Sequence, residues 1–82
     1  MQIFVKLITG DCVTLDVKPL DLIERIKKRI EELTGIASQQ QRYSFGAVVL
    51  KDDYCLADYD IKHESTIYLT RVSHDLRKTI HR

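Results

Sequence analysis

Two cysteines, Cys12 and Cys55, and three histidines, His63, His74 and His81, are the most reactive side chains in this 82-residue chain. A cysteine nucleophile needs a base within hydrogen-bond reach, and neither cysteine has a histidine close to it in sequence. The histidines are spaced 11 and 7 apart, on a turn and a tail, which matches no zinc-site pattern. Asp52 with Asp53, and Asp58 with Asp60, fall among turn-forming residues, where carboxylates bond nearby backbone amides. Gly10, Gly35 and Gly46 each stand alone, so no phosphate-cradling loop is expected. The chain is therefore expected to be no enzyme and to need no metal or cofactor. What remains to act is a surface, and the secondary elements decide which side chains it displays.

Composition bounds the partners. A formal charge of +1, with 44% hydrophobic and 30% charged residues, gives no general attraction to nucleic acid or anionic membrane. No apolar run approaches the ~20 residues of a membrane span, and Lys6 interrupts the N-terminal apolar stretch, against a signal peptide. Two cysteines make no disulfide framework, so a reducing cytoplasmic or nuclear setting is expected.

MQIFVKL alternates with period two: Met1, Ile3 and Val5 take one face and Gln2, Phe4 and Lys6 the other. Thr9, Gly10 and Asp11 supply a turn, and Val13, Leu15 and Val17 alternate again, giving a β-hairpin. After Pro19 the period changes. Ile23, Ile26 and Ile30 form a helical stripe, Asp21 with Glu24 matches a capping box, and Gly35 stands at the C-terminal cap. QQQRYSF, Gln39 to Phe45, reads as a strand, Gly46 and Ala47 as a turn, and VVLK as another short strand. DDYCLADYDI is turn-rich, and STIYLTRV is a last strand, with Ile67 and Leu69 on one face and Thr66, Tyr68 and Thr70 on the other. The order implies an α+β domain, a mixed sheet of four to five strands with one packed helix.

At this level of detail the residues resemble ubiquitin. MQIFVK, Thr9-Gly10, Pro19 and Asp21, Ile23-Glu24, Gly35-Ile36, QQR at Gln40 to Arg42, Leu56 with Asp58-Tyr59, and EST at Glu64 to Thr66 carry the match, which runs without a gap to about Leu69. The resemblance implies a β-grasp (ubiquitin-like) roll over residues 1–72 and a domain that works by being bound. Residues 73–82 are then a basic C-terminal extension or linker. Modifiers of this family end in a flexible Gly-Gly tail, because the tail threads enzyme clefts too narrow for a Cβ. Asp75 and Leu76 stand in that place here, and no glycine lies beyond Gly46. A domain that is not conjugated is expected.

The family's main docking patch aligns with Ile8, Ser44, Tyr68 and Thr70. Ile8 stays apolar and Tyr68 offers a large ring, whereas Ser44 and Thr70 replace an isoleucine and a valine. Losing two such side chains from a contact forfeits ~2–4 kcal/mol, about a hundredfold in affinity. Ala47, Val48 and Val49 shift the other way, so a displaced patch of Ile8, Ala47, Val48 and Tyr68, with Arg42 beside it, is expected; the competing arrangement turns Val49 inward. Gln2, Phe4 and Thr14 match a second family patch, with Phe4 outward by strand parity. Ile36 has lost its usual tail partners to Arg71 and Ser73. Lys6 and Lys27 remain, but Asp11, Arg29, Leu33, Val48 and His63 occupy the family's other chain-building lysine positions. Lys27 and Asp52 match a buried ion pair.

The function expected is thus a monomeric, non-conjugatable ubiquitin-like interaction domain, the N-terminal module of a larger protein, that docks to proteins of the ubiquitin/proteasome machinery such as receptors, deubiquitinases or ligases. The alternatives are a covalent modifier matured from another C-terminus and the regulatory domain of a ubiquitin-pathway enzyme. In the extension, Val72, Leu76 and Ile80 fall on one edge of a helical pattern, among four Lys/Arg and one Asp from Arg71 to Arg82. That reads either as a solvated linker or as a basic segment that folds against a partner.

Overall fold

A computed structural model describes residues 1–72; the extension 73–82, and with it Asp75, Leu76 and the helical pattern expected there, lies outside the described residues. The alternating opening forms β1 (Gln2–Lys6), and the turn through Gly10 returns the chain as β2 (Cys12–Asp16). Gly10 takes a φ of 97°, in the left-handed region that an L side chain resists. The remaining elements are helix α1 (Ile23–Thr34), a 3₁₀ turn at Ser38–Gln40, β3 (Gln41–Phe45), β4 (Val48–Val49), a second 3₁₀ turn at Leu56–Tyr59 and β5 (Thr66–Arg71). The sheet order is β2-β1-β5-β3-β4. β1 and β5 run parallel at its centre and the other pairings are antiparallel. Among the described residues this is the mixed β-grasp sheet with one α-helix.

The helix lies across one face and buries Ile23, Ile26 and Ile30 completely, against Ile3 and Val5 of β1, Leu15 of β2, and Ile67 and Leu69 of β5. Each such side chain stabilises the fold by ~1.5–3 kcal/mol when removed from water. At its far end the helix stops at Gly35, whose φ of 81° lets its N–H reach back to the Glu31 carbonyl at 2.8 Å.

The helix start differs from the sequence expectation. No side chain caps it, and the flanking residue is Leu22. The Asp21 carboxylate instead accepts from the Lys18 N–H at 2.9 Å. The first amides of the helix are satisfied by backbone, Ile23 N–H donating to Tyr54 O at 2.9 Å and Glu24 N–H to Asp52 O at 3.1 Å. Leu22 and Cys55 pair across this short antiparallel ladder. A capping box was not needed because a neighbouring segment supplies the carbonyls. The strand expected from Gln39 likewise starts only at Gln41, since the preceding residues make a 3₁₀ turn.

β3 carries a polar pair into the core. Gln41 and Tyr43 are both buried. The Gln41 amide donates to Lys27 O at 2.9 Å and Ile36 O at 2.8 Å, tying β3 to the helix and to the loop after it. The Tyr43 hydroxyl donates to Gln41 Oε1, so every polar atom of the amide has a partner. Burial pushes the Tyr43 phenol well above its ordinary value of 10.0.

Candidate functional site

The sheet face turned away from the helix is built by strand parity and register. Residues directly opposite on neighbouring strands point to the same side, with Cβ atoms about 4.5–5.5 Å apart. Lys6 pairs with Cys12 and Tyr68, Tyr68 with Ser44, and Ser44 with Val49. One row therefore crosses all five strands as Cys12, Lys6, Tyr68, Ser44 and Val49. One step along, Arg42 lies opposite Thr70. In the other direction Phe4 sits between Thr14 and Thr66, and Gln2 opposite Asp16. The strand residues of the two patches expected from the sequence, Ser44, Tyr68 and Thr70 with Arg42, and Gln2, Phe4 and Thr14, are thus adjacent rows of one face.

Two corrections follow from this register. Val49 does not turn inward; it is 53% exposed and stands beside Ser44. Val48, the residue the displaced patch was expected to use, pairs with Phe45 and points by parity to the opposite side, at 51% exposure. Ala47 occupies the two-residue turn with Gly46, whose φ of 62° meets the demand of a hairpin turn for a left-handed first residue. The apolar side chain given up at Ser44 is therefore replaced one strand further out. Phe4 lies on the outer face, as strand parity expects, partly buried between its threonine neighbours.

Ile8 is 69% exposed on the β1–β2 turn. It lines a hollow of about 200 Å³ together with Leu7, Thr9, Ile36, Leu69 and Arg71. Among the described residues Ile36 thus keeps apolar company from the first hairpin and β5. Arg71 is held at the rim by a bond from its guanidinium to Gln40 Oε1 at 3.2 Å. Tyr68, half-exposed, has the cations Lys6 and Arg42 in adjoining positions of the sheet, and the carboxylate of this face, Asp16, lies at its far end beside Gln2. The outer face thus carries two exposed apolar side chains, Tyr68 and Val49, on either side of Ser44, with Lys6 and Arg42 adjoining them.

Away from the sheet, Lys27 and Asp52 do meet, at 2.6 Å, but Asp52 is 57% exposed, so the ion pair is not the buried one expected. Its carboxylate keeps water on one side, which lowers both the cost and the gain of the pair. Asp58 acts as a turn former, its carboxylate accepting from Cys55 N–H at 2.9 Å, while Cys55 Sγ reciprocates at the 3₁₀ turn. His63 Nδ1 accepts from Gln2 N–H at 3.0 Å, closing the entry to β1. Among the described residues no group of acidic, cysteine and histidine side chains is arranged to hold a metal ion.

Sequence reasoning missed Val49, and the signal for it was present. A two-residue turn at Gly46-Ala47 forces Phe45 to face Val48 and Ser44 to face Val49, so counting through the turn would have placed the valine. It also passed over Leu20 and Leu22, which are 78% and 43% exposed at the entry to the helix.

Comparison with known proteins places this geometry. The sequence model of the ubiquitin family matches residues 3–71. The ubiquitin-like protein NEDD8 of Dictyostelium discoideum is 42% identical over 69 residues, which cover 84% of this chain and 90% of that protein. AN1-type zinc finger protein 4 of Mus musculus is 38% identical over 69 residues, 84% of this chain but only 9% of that protein. The 2'-5'-oligoadenylate synthase-like protein 1 of Rattus norvegicus is 35% identical over 71 residues, 87% of this chain and 14% of that protein. Similar sequences thus occur both as nearly whole small proteins and as short segments of long ones.

Proposed function

We propose that this chain, which belongs to the ubiquitin family, acts as an intact, non-conjugated interaction domain within a larger protein and docks through its sheet face to components of the ubiquitin–proteasome system. The observation that supports this reading is one row of the outer face in which exposed Tyr68 and Val49 flank Ser44, with Lys6 and Arg42 in adjoining positions and exposed Ile8 on the β1–β2 turn. An apolar centre with a charged border is how weak, specific contacts are built. The Ser44 position withholds the central contact that ordinary ubiquitin receptors require, and Val49 offers a similar apolar area nearer the β4 edge. A receptor of this domain therefore reaches one strand further across the sheet.

Asp75 and Leu76, in place of a diglycine, favour action without conjugation. The long relatives, of which this sequence spans only 9% and 14%, favour a module within a larger protein. The opposing reading is a covalent modifier matured from a different C-terminus, favoured by the NEDD8 likeness over 90% of that protein. A heteronuclear NMR titration with a ubiquitin-binding fragment of a proteasomal receptor tests the docking. Shifts centred on Tyr68, Val49 and Ile8 support it; saturation without shifts on this face removes it.

A further inference from the structure

The outer face of the sheet holds a cluster of unused hydrogen-bond donors. Tyr68 on β5 lies directly opposite Lys6 of β1 on one side and Ser44 of β3 on the other, and Arg42 lies opposite Thr70 and diagonal to Tyr68. Directly opposed Cβ atoms are about 4.5–5.5 Å apart and diagonal ones about 7–8 Å, within reach of long side chains. Two cations and three hydroxyls are thus neighbours. Ser44 is partly buried and the other four residues are exposed. Among the described residues no hydrogen bond or ion pair engages any of these five side chains.

Carboxylates are kept away from the cluster. Asp16 lies opposite Gln2, four residues along the strands from the row of Lys6 and Cys12. At ~3.3 Å per residue that is roughly 13 Å, beyond the screening length of ~8 Å at physiological salt. Its carboxylate also faces the N-terminal ammonium at 3.7 Å. Glu64 precedes β5 at the same far end, against His63 at 4.0 Å. Asp11, before β2, is engaged by the Thr9 hydroxyl at 3.1 Å. Lys6 and Arg42 are therefore positive charges that the fold leaves uncompensated, and each hydroxyl beside them is free to donate to an oxyanion.

Two cations are too few to hold a nucleic acid, whose binders make about six to ten phosphate contacts. They stand on strands separated by two strand spacings, roughly 9.5 Å, which suits acidic side chains spaced along a chain better than one compact anion. We propose that the partner docked on this face is an acidic peptide segment. One carboxylate meets Lys6 and the Tyr68 hydroxyl, a second meets Arg42 with the Ser44 and Thr70 hydroxyls, and an apolar side chain next to them covers Val49. This partner chemistry rests on the docking role proposed above for the same face. The polar residues at 44 and 70 are what turn the contact from an apolar one into an acidic one.

NMR titration of the 82-residue chain with a short peptide containing Glu-Leu-Glu, into the range of about 1 mM, and with its Gln-Leu-Gln counterpart, tests the proposal. The acidic peptide is expected to shift Lys6, Arg42, Ser44, Tyr68 and Val49, and to bind at least tenfold more tightly than the neutral one. Lys6→Gln and Arg42→Gln, both at exposed positions, are each expected to weaken it about fivefold. Ser44→Ala is expected to weaken it about tenfold, because its hydroxyl bonds to a charged group. Equal binding of the two peptides overturns the proposal, as does binding that none of the three substitutions weakens. So does an oligonucleotide of equal charge that binds as tightly as the acidic peptide. If a proteasomal receptor fragment shifts this face while the acidic peptide does not, the docking role stands and the acidic partner is refuted. If the peptide shifts it and the fragment does not, the acidic partner stands and the link to the proteasome is refuted.

Discussion

Replacing Tyr43 by phenylalanine removes one oxygen from the most enclosed polar contact in the domain. The ring stays, so the packing of β3 against the helix is kept, and the change isolates the hydroxyl that donates to Gln41 Oε1. Gln41 cannot turn away to find water, because its amide nitrogen is held by the Lys27 and Ile36 carbonyls and the residue is 3% exposed. Its carbonyl oxygen is left buried without a donor, which costs about 1–3 kcal/mol. For a domain of this size about 2 kcal/mol lowers the melting temperature by some 8–16 °C. Urea unfolding followed by circular dichroism reads the loss directly, with an unchanged dependence on denaturant showing that the folded state is equally compact. The same variant carries a pH signature. Burial raises the phenol above 10.0 in the folded protein, so between that value and its folded one the unfolded chain has lost the proton while the folded chain keeps it. Stability present below pH ~10 is therefore lost as pH rises, by up to ~1.4 kcal/mol per unit for this one group, and Tyr43→Phe removes that part of the slope. Equal stability of the two proteins at pH 7, within about 0.5 kcal/mol against the expected 1–3, would refute the reasoning.

The other consequences are more local. Asp52→Asn is expected to cost about 1 kcal/mol or less, not the 3–5 of a broken buried pair, because Asp52 keeps its contact with water; chemical denaturation at low and high salt checks it. Gly35→Ala meets no neighbouring atom but inherits a φ of 81°, so it is expected to cost about 1–2 kcal/mol from backbone strain alone. Val49→Lys is expected to leave stability within about 0.5 kcal/mol, as surface substitutions do, while weakening receptor binding about tenfold in a titration. Ser44→Ile, which restores an apolar side chain between Tyr68 and Val49, is expected to strengthen binding to ordinary ubiquitin receptors by tenfold or more.

Much of the fold is legible in local patterns. Period two in Ile3 and Val5, and in Ile67 and Leu69, marks strands that bury one face, and Ile23, Ile26 and Ile30 mark a helix that does the same; all seven are buried. Gly35 ends the helix where a left-handed residue is demanded. What sequence did not disclose depends on segments distant in the chain. Asp21 and Glu24 have the spacing of a cap, yet the carbonyls of Asp52 and Tyr54 take the helix amides, and nothing near Asp21 signals that. The exposure of Asp52 is equally a property of the assembled fold. For the candidate surface, Tyr68, Gln2 and Phe4 lay on one face by strand parity and Arg42 entered with the family resemblance, whereas Val49 required the register across the turn. The hollow that joins Ile8 to Ile36 and Leu69 needed three separate elements to be in place.

The most direct test of the central proposal, that this domain acts as an intact surface and is not joined to other proteins, is made in cells. The natural protein carrying an N-terminal tag is captured under denaturing conditions, and its C-terminal peptides are mapped by mass spectrometry. The account predicts that Asp75 and Leu76 are followed by the remainder of the same polypeptide, with no branch onto a lysine of another protein. An isopeptide bond from the segment after β5 to a foreign lysine would contradict it.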